Sequence, residues 1–183
     1  MKFVIHPLDT SKTIAWASGT STELFIHPAD GNFQKREFIF RISTATVEAE
    51  ETNFSDFTGL TRILMILRGK LTLIHEGRYT KELNEFDQDT FDGSWQTRSK
   101  GKVQDFNLMF NDTCKGEVVH YQIVLDEQKE FIKTTERLFL FVYDGIFQLE
   151  NTIAKSGDLI EVLETDVISL KCLEEGNVIG CKL

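Results

Sequence analysis

Proline and cysteine are scarce in this chain, which has 2 prolines and 3 cysteines among 183 residues. The cysteines, Cys114, Cys172 and Cys181, are odd in number, widely spaced and never arranged as C-x-x-C. This pattern predicts reduced thiols that serve as small buried hydrophobic residues. It gives no indication of a disulfide framework, so we expect a cytoplasmic protein.

Positive charge is also in short supply, because 20 basic residues face 29 acidic ones and leave a net charge of −9. Nucleic-acid binding requires a basic surface, and the chain has no cluster of lysine and arginine. No apolar run approaches the roughly 20 residues that span a bilayer, and the apolar run at the N-terminus is too short for a signal peptide. We therefore expect no nucleic-acid partner and no membrane partner.

Motifs for metal binding and catalysis are missing as well. The 4 histidines, His6, His27, His75 and His120, never form the H-x-H pair that converging metal ligands on a strand require. The chain has no G-x-S-x-G elbow, no G-x-G-x-x-G and no Walker loop. We predict no metal, no cofactor and no catalytic residue.

Short alternating runs of β-branched and aromatic residues fill most of the chain, and turn signals such as "ADGN", "FDGS" and "SGD" separate them. This pattern favours a closed or sandwiched all-β fold. Helical turns are predicted only near 53–57 and 126–133. The predicted strands are 24–27, 37–47, 62–67, 71–75, 105–110, 118–124, 138–143, 146–149, 159–162 and 167–172.

Two segments resemble each other within the chain. "TRILMILRGKLTLIHEG" (61–77) and "ERLFLFVYDGIFQLENT" (136–152) each have an arginine, an apolar strand, a glycine turn and a second alternating strand. We predict a hairpin in each and two barrel halves in one compact domain over 1–183. The alternative is that any two hairpins look alike.

One strand carries a permanent charge among small residues. In "FIFRISTATVE", side-chain alternation places Arg41, Ser43, Ala45 and Val47 on one face of the strand. That face leaves room around the guanidinium. The arginine therefore lies either in solvent or at a cavity that holds an anion.

Two further segments add polar groups to strands. In "DFNLMF", Asp105 and Asn107 share a face opposite an aromatic one, and in "GLTRIL" the most apolar strand begins at Arg62. An arginine, an aspartate and an asparagine converging in one lumen favour a polar ligand pocket. Solvated charges, or a structural Arg–Asp pair at the barrel mouth, are the alternatives that remain open.

A family resemblance follows from five segments in order: "TIAWASGTSTELFIHP", "FIFRISTATVE", "NFSDFTGLTRILMILRGKLTL", "FDGS" and "DFNLMF". Over about residues 13–111 they closely resemble the HutD/Ves family of histidine-utilisation and environmental-stress proteins. The resemblance implies a bicupin fold, an auxiliary or regulatory role in bacterial histidine degradation, and a metal-free pocket for small acidic metabolites. It places ligand-binding residues at Arg41, Ser43, Arg62, Asp105 and Asn107, with Trp16 and Thr20 in the N-terminal signature.

The chain departs from the family pattern at three places. Phe40 stands where the family has tryptophan, and Ser18-Gly19 replaces a double glycine. Ser94 replaces the acid of the F-x-G-D turn, although Asp92 is near. These changes bear on the ligand rather than on the fold.

Our first hypothesis is a non-enzymatic protein that binds a small carboxylate metabolite, with a homodimer as one open assembly state. The second is a metal-independent isomerase acting on a small acid or sugar, since one fold hosts many chemistries. For that enzyme the candidate general bases are Glu48, Asp105 and His75. The third is an interaction protein whose lumen is filled by its own side chains.

Overall fold

The computed structural model describes residues 2–183, whose regular structure is nineteen β-strands and one 3-10 turn at Leu8–Thr10. Within these residues no helix has the length and apolar character that crossing a bilayer requires. The strands are β1 Phe3–His6, β2 Lys12–Trp16, β3 Gly19–His27, β4 Phe40–Val47, β5 Glu51–Asn53, β6 Thr61–Gly69, β7 Leu71–His75, β8 Tyr79–Leu83, β9 Gln88–Asp92, β10 Thr97–Lys100, β11 Val103–Phe110, β12 Glu117–Ile123, β13 Gln128–Ile132, β14 Leu138–Val142, β15 Ile146–Leu149, β16 Thr152–Lys155, β17 Leu159–Val162, β18 Val167–Glu174 and β19 Gly176–Lys182.

The chain divides into two compact units. The N-terminal unit is Lys12–Lys115, and the C-terminal unit is Gly116–Leu183 together with Met1–Ser11. The single compact domain over 1–183 stays a prediction.

The N-terminal unit contains two antiparallel sheets. Its larger sheet has the strand order β2-β3-β4-β11-β6-β9, and its smaller sheet has the order β5-β10-β7-β8. Apolar side chains of both sheets form a core of Val47, Leu64, Ile66, Leu71, Leu73, Leu83, Phe91 and Val103. Burial of these side chains holds the two sheets face to face, as in other β-sandwiches.

The C-terminal unit repeats this plan. Its sheets have the orders β1-β17-β14-β19-β12 and β13-β18-β15-β16. Strands β12–β19 therefore take, in chain order, the places of β4–β11 in the N-terminal unit. Among the described residues the two sheets of each unit share no strand, so each predicted barrel half is a two-sheet jelly roll.

Equivalent glycines mark the internal repeat. Gly69 and Gly145 have φ values of 94° and 90°, a region that strongly favours glycine. A Cβ at either position would lie 2.8 Å from a backbone carbonyl oxygen, that of Lys102 or of Glu174. Both glycines thus stand at tight turns in corresponding places.

The predicted hairpins at 61–77 and 136–152 need correction. Strand β6 lies in the larger sheet and β7 in the smaller one, and β14 and β15 are separated in the same way. The glycine therefore turns the chain from one sheet to the other. The sequence signal is the same in both cases, because a tight corner and a tight hairpin both require a residue of positive φ.

Other sequence predictions differ in accuracy. Predicted strands 71–75, 146–149 and 159–162 match β7, β15 and β17 residue for residue. The helical turns predicted near 53–57 and 126–133 are wrong, since residues 128–132 form β13 and residues 54–57 are not helical. Polar or short strands such as β8, β10 and β16 were missed, because their alternation carries little hydrophobic contrast.

Candidate ligand-binding site

A cavity of about 310 Å³ lies within the N-terminal unit. All five residues predicted to bind a ligand line its wall, namely Arg41, Ser43, Arg62, Asp105 and Asn107. The remaining lining residues include Trp16, Phe33, Thr52, Phe54, Phe57, Leu64 and Met109. The wall is therefore largely apolar and aromatic around a few buried polar groups, as ligand pockets commonly are.

Three neighbouring strands bring the polar groups together. Strand β11 lies between β4 and β6, with Asn107 opposite both Ser43 and Leu64, and with Met109 opposite both Arg41 and Arg62. Since residues opposite one another point to the same face of a sheet, the strand alternation directs all of these side chains to the cavity. This register explains how residues more than 60 positions apart converge.

Arg41 is held by groups of the protein. Its Nε donates to Glu23 Oε2 at 2.7 Å, and its Nη1 donates to Ser43 Oγ at 2.8 Å. The guanidinium carbon lies 4.0 Å from the centre of the Phe33 ring. Burial lowers the pKa of Arg41, and Glu23 opposes that shift. The charge of Arg41 is thus largely balanced before any ligand enters.

Glu23 is not among the site residues that the sequence predicts. Strand β3 begins at Gly19 rather than at the predicted Leu24, so Glu23 lies on a strand directly beside β4. The available signal is that Glu23 follows a run of small polar residues, "GTST". This signal becomes informative only when β3 is known to begin at Gly19, because Glu23 then lies on the strand.

Arg62 is in a different situation, because no ion pair of the described residues neutralises it. Its Nη2 donates to Asn107 Oδ1 at 3.1 Å, whereas its Nε is buried without a hydrogen-bond partner. The guanidinium carbon lies 4.8 to 5.5 Å from the rings of Phe54, Phe91 and Phe57. Burial lowers its pKa to about 10, against the raising effect of Asp105.

Asp105 completes a chain of polar groups that starts at Arg62. Asn107 accepts from Arg62 through Oδ1 and donates through Nδ2 to Asp105 Oδ1. Burial raises the pKa of Asp105 to about 7, while Arg62 and the Asn107 hydrogen bond act in the opposite direction. The carboxyl group therefore changes protonation close to neutral pH.

Thr52 is a further lining residue that the sequence did not single out. Its hydroxyl oxygen is buried and has no hydrogen-bond partner. Buried polar groups are rarely left unpaired, so Thr52 and the Nε of Arg62 are two unpaired groups at one cavity. The surrounding segment "EETN" is polar and predicts an exposed loop, so the sequence does not indicate a buried residue at this position.

The other predicted residues lie elsewhere. His75 is buried away from the cavity lining, where it is hydrogen-bonded to Asp89 Oδ2 at 3.0 Å and to Thr97 Oγ1 at 2.8 Å. Glu48 is exposed just after β4. Of the three candidate bases, Asp105 is the one that reaches the cavity.

Two family-signature positions also lie outside the cavity lining. Thr20 on β3 is half-buried and is not part of the wall. Ser94 is exposed, and its backbone N–H donates to Asp92 Oδ1 at 2.8 Å, so Asp92 supplies an acid within the same turn.

No group of three or more histidine, cysteine, aspartate or glutamate side chains could hold a metal ion within residues 2–183. The four histidines are spread over different strands, and the cysteines are free thiols. The donor set at the cavity consists of one carboxyl, one amide and hydroxyl groups beside two arginines, and nearby cations disfavour a metal ion.

Solved structures with the same fold come from several bacteria. A conserved protein of unknown function from Pseudomonas aeruginosa aligns over 100% of this chain and 98% of its own, with 20% identity and a TM-score of 0.81. HutD from Pseudomonas fluorescens aligns over 98% of both chains, with 17% identity and a TM-score of 0.75. YhhW from Escherichia coli aligns over 99% of this chain and 97% of its own, with 12% identity and a TM-score of 0.76.

At these identities the likeness establishes the fold, and it confirms the predicted all-β bicupin. A comparison with curated proteins finds no match. The model of the HutD family, in contrast, matches residues 9–179, which is nearly the whole sequence. The chain therefore belongs to the HutD family.

Proposed function

We propose that this protein binds a small monocarboxylate in the cavity of its N-terminal unit and has an auxiliary or regulatory role in histidine utilisation. The observation that carries the proposal is Arg62, a buried cation at the cavity with one hydrogen bond and no ion pair among the described residues. A buried charge without an ion pair is costly, and Asp105, with a pKa of about 7, offsets the charge of Arg62 only when it is ionised; an anionic ligand would offset that charge directly.

The shape and chemistry of the cavity support a small acid. A volume of about 310 Å³ is at the lower end of the usual range for ligand pockets. An arginine offers a planar pair of N–H donors to a carboxylate, and the aromatic rings around Arg62 exclude water from such a contact. The link to histidine utilisation rests on family membership and on the name of the Pseudomonas fluorescens relative.

The experiment is a thermal-shift and calorimetric screen of small carboxylates. The panel contains formate, which names the condition of the HutD structure, and the carboxylic acids of histidine degradation, with sugars and divalent metals as contrasting classes. We expect a carboxylate to raise Tm. Loss of one charge-assisted contact of about 1.5–3 kcal/mol should weaken its binding roughly 10- to 150-fold in Arg62→Met.

A matched control comes from the same strand. Arg68 lies on β6 but is exposed and does not line the cavity, so Arg68→Met should bind as wild type does. Equal binding by wild type and a folded Arg62→Met protein would refute the proposal. If no small molecule of the panel binds, a purely structural or interaction role would replace it.

A specific observation also favours a second function, that of a metal-independent enzyme. Asp105 lines the cavity beside Arg62, and its pKa of about 7 suits a general base at neutral pH. Such an enzyme would bind a small acid through Arg62 and exchange a carbon-bound proton. NMR of the bound acid in D2O distinguishes the two functions, since only the enzyme exchanges that proton and only through Asp105.

A further inference from the structure

We propose that the cavity takes up its carboxylate together with one proton, which Asp105 holds while the anion lies against Arg62. This inference rests on the proposed function and concerns the regulation of the same site by pH. Three features of the cavity carry it: the shared hydrogen-bond chain, the charge balance, and the burial of Asp105.

The hydrogen-bond chain connects Asp105 to the anion-binding position. Asn107 contacts both groups, accepting from Arg62 Nη2 and donating to Asp105 Oδ1. Because one amide side chain bridges them, the two charged groups share a small buried volume. An anion at Arg62 would therefore lie close to the carboxyl group of Asp105.

Arg62 is the one cation at the cavity whose charge no ion pair among the described residues offsets, so the cavity can hold one negative charge at no net excess. Besides Asp105, the titratable residues that line this volume are Arg62 from β6 and Arg41 from β4, and the lining residues of β5 carry no titratable group. Glu23 from β3 lies outside the lining and contacts Arg41. Glu23 already neutralises Arg41. With Asp105 ionised, the remaining pair is neutral, and an entering anion would give the buried site a charge of −1.

Protonation of Asp105 removes that excess charge. A second negative charge in the same site raises the pKa of a carboxyl group. A bound anion would also offset the positive charge of Arg62, which otherwise lowers the pKa of Asp105. The pKa of Asp105 in the empty cavity is already raised to about 7 by burial. Anion binding should move it higher, so that the complex holds a proton that the free protein has partly lost.

The sign of the pH dependence follows from this shift. Below about pH 7 Asp105 is protonated in both states, and the affinity does not change with pH. Above it, the free protein must gain a proton on binding, so the apparent Kd should rise, by up to tenfold per pH unit. Between pH 6.5 and 8.5 we expect a rise of about 10-fold or more.

Formate is a suitable probe because it stays anionic over this range. Titration calorimetry of the full chain at pH 8, in two buffers of different ionisation enthalpy, measures the number of protons taken up per formate bound. We expect about 0.5–1 proton in wild type. Asp105→Asn should bind formate with no proton uptake and with a Kd independent of pH.

The control is Asp87→Asn, since Asp87 is exposed in a turn and contacts Asn84. It should keep the proton uptake of wild type. If Asp105→Asn does not fold, the wild-type proton count alone decides. Formate binding with a constant Kd and no proton uptake would overturn this inference and leave the proposed function standing. No formate or other carboxylate binding at any pH would overturn both.

Discussion

Replacement of Arg62 by methionine should stabilise the ligand-free protein while weakening its carboxylate binding roughly 10- to 150-fold. The pKa of Arg62 falls from its ordinary 12.5 to about 10, chiefly because the charge is buried. At neutral pH this shift corresponds to about 3 kcal/mol of unfavourable folding free energy, since the unfolded arginine keeps its full hydration. The cost persists at every pH below about 10, where the folded guanidinium remains charged.

Favourable contacts of the guanidinium return part of that cost. The three phenylalanine rings around it contribute about 1–2 kcal/mol together, and methionine fills the same apolar surroundings. The net expectation for Arg62→Met is a gain of about 1 kcal/mol, or a rise in Tm of about 2–4 °C.

Chemical denaturation without ligand, at neutral pH, is the assay, with the exposed Arg68→Met as control. The control should stay within about 0.5 kcal/mol of wild type. The same concentration of carboxylate should then raise Tm in wild type and in the control, and raise it much less in Arg62→Met. If Arg62→Met loses more than about 2 kcal/mol without ligand, Arg62 is a structural residue and the reasoning is wrong.

Three further predictions concern other positions. Arg41→Ala should lower the free energy of unfolding by about 1–3 kcal/mol, because it leaves Glu23 without its ion pair; equal denaturation midpoints would contradict this. The pKa of Asp105 is raised to about 7 in the folded protein, so its contribution to stability is fully present near pH 4 and is lost as pH rises through 7. The free energy of unfolding of Asp105→Asn should therefore increase relative to that of wild type by about 2–3 kcal/mol between pH 5 and pH 8. Stability curves that stay parallel over this range would refute the prediction. Gly69→Ala should destabilise by about 1 kcal/mol or more, owing to its positive φ and the 2.8 Å approach of a carbonyl oxygen, and an unchanged Tm would contradict that strain.

Side-chain alternation along each strand was enough to predict which polar site residues lie on the same face of that strand. Arg41 and Ser43 share one face of β4, and Asp105 and Asn107 share one face of β11. A strand of period two fixes such relations locally, whatever lies beside it. The same local logic located the glycine turn at Gly69.

The side-chain contacts between neighbouring strands could not be predicted from the sequence, because they depend on the register in which the strands pair. Asn107 holds Arg62 rather than Arg41, and Glu23 takes the place beside Arg41. Irregularities in the pairing of β3 with β4 and of β11 with β6 shift these partners by one residue. A one-residue shift redirects a side chain to the other face, and single-chain patterns do not record it.

The strands that the sequence fails to predict are mainly those in which buried and exposed positions differ little in hydrophobicity. Strand β13, "QKEFI", buries only Phe131, and Ile132 beside it is exposed, so the segment resembles a short helix as much as a strand. Thr52 belongs to a three-residue strand whose two neighbours are exposed. Tertiary packing decides such segments, since their own residues favour no element strongly.

The most direct test of the carboxylate-binding account is a crystal structure of the protein with the carboxylate that gives the largest thermal shift. The account predicts a carboxylate in the cavity of the N-terminal unit, with an oxygen about 3 Å from the Arg62 guanidinium and the hydrogen bond from Arg62 to Asn107 retained or exchanged. A carboxylate bound elsewhere on the protein, with the cavity holding only water, would contradict it.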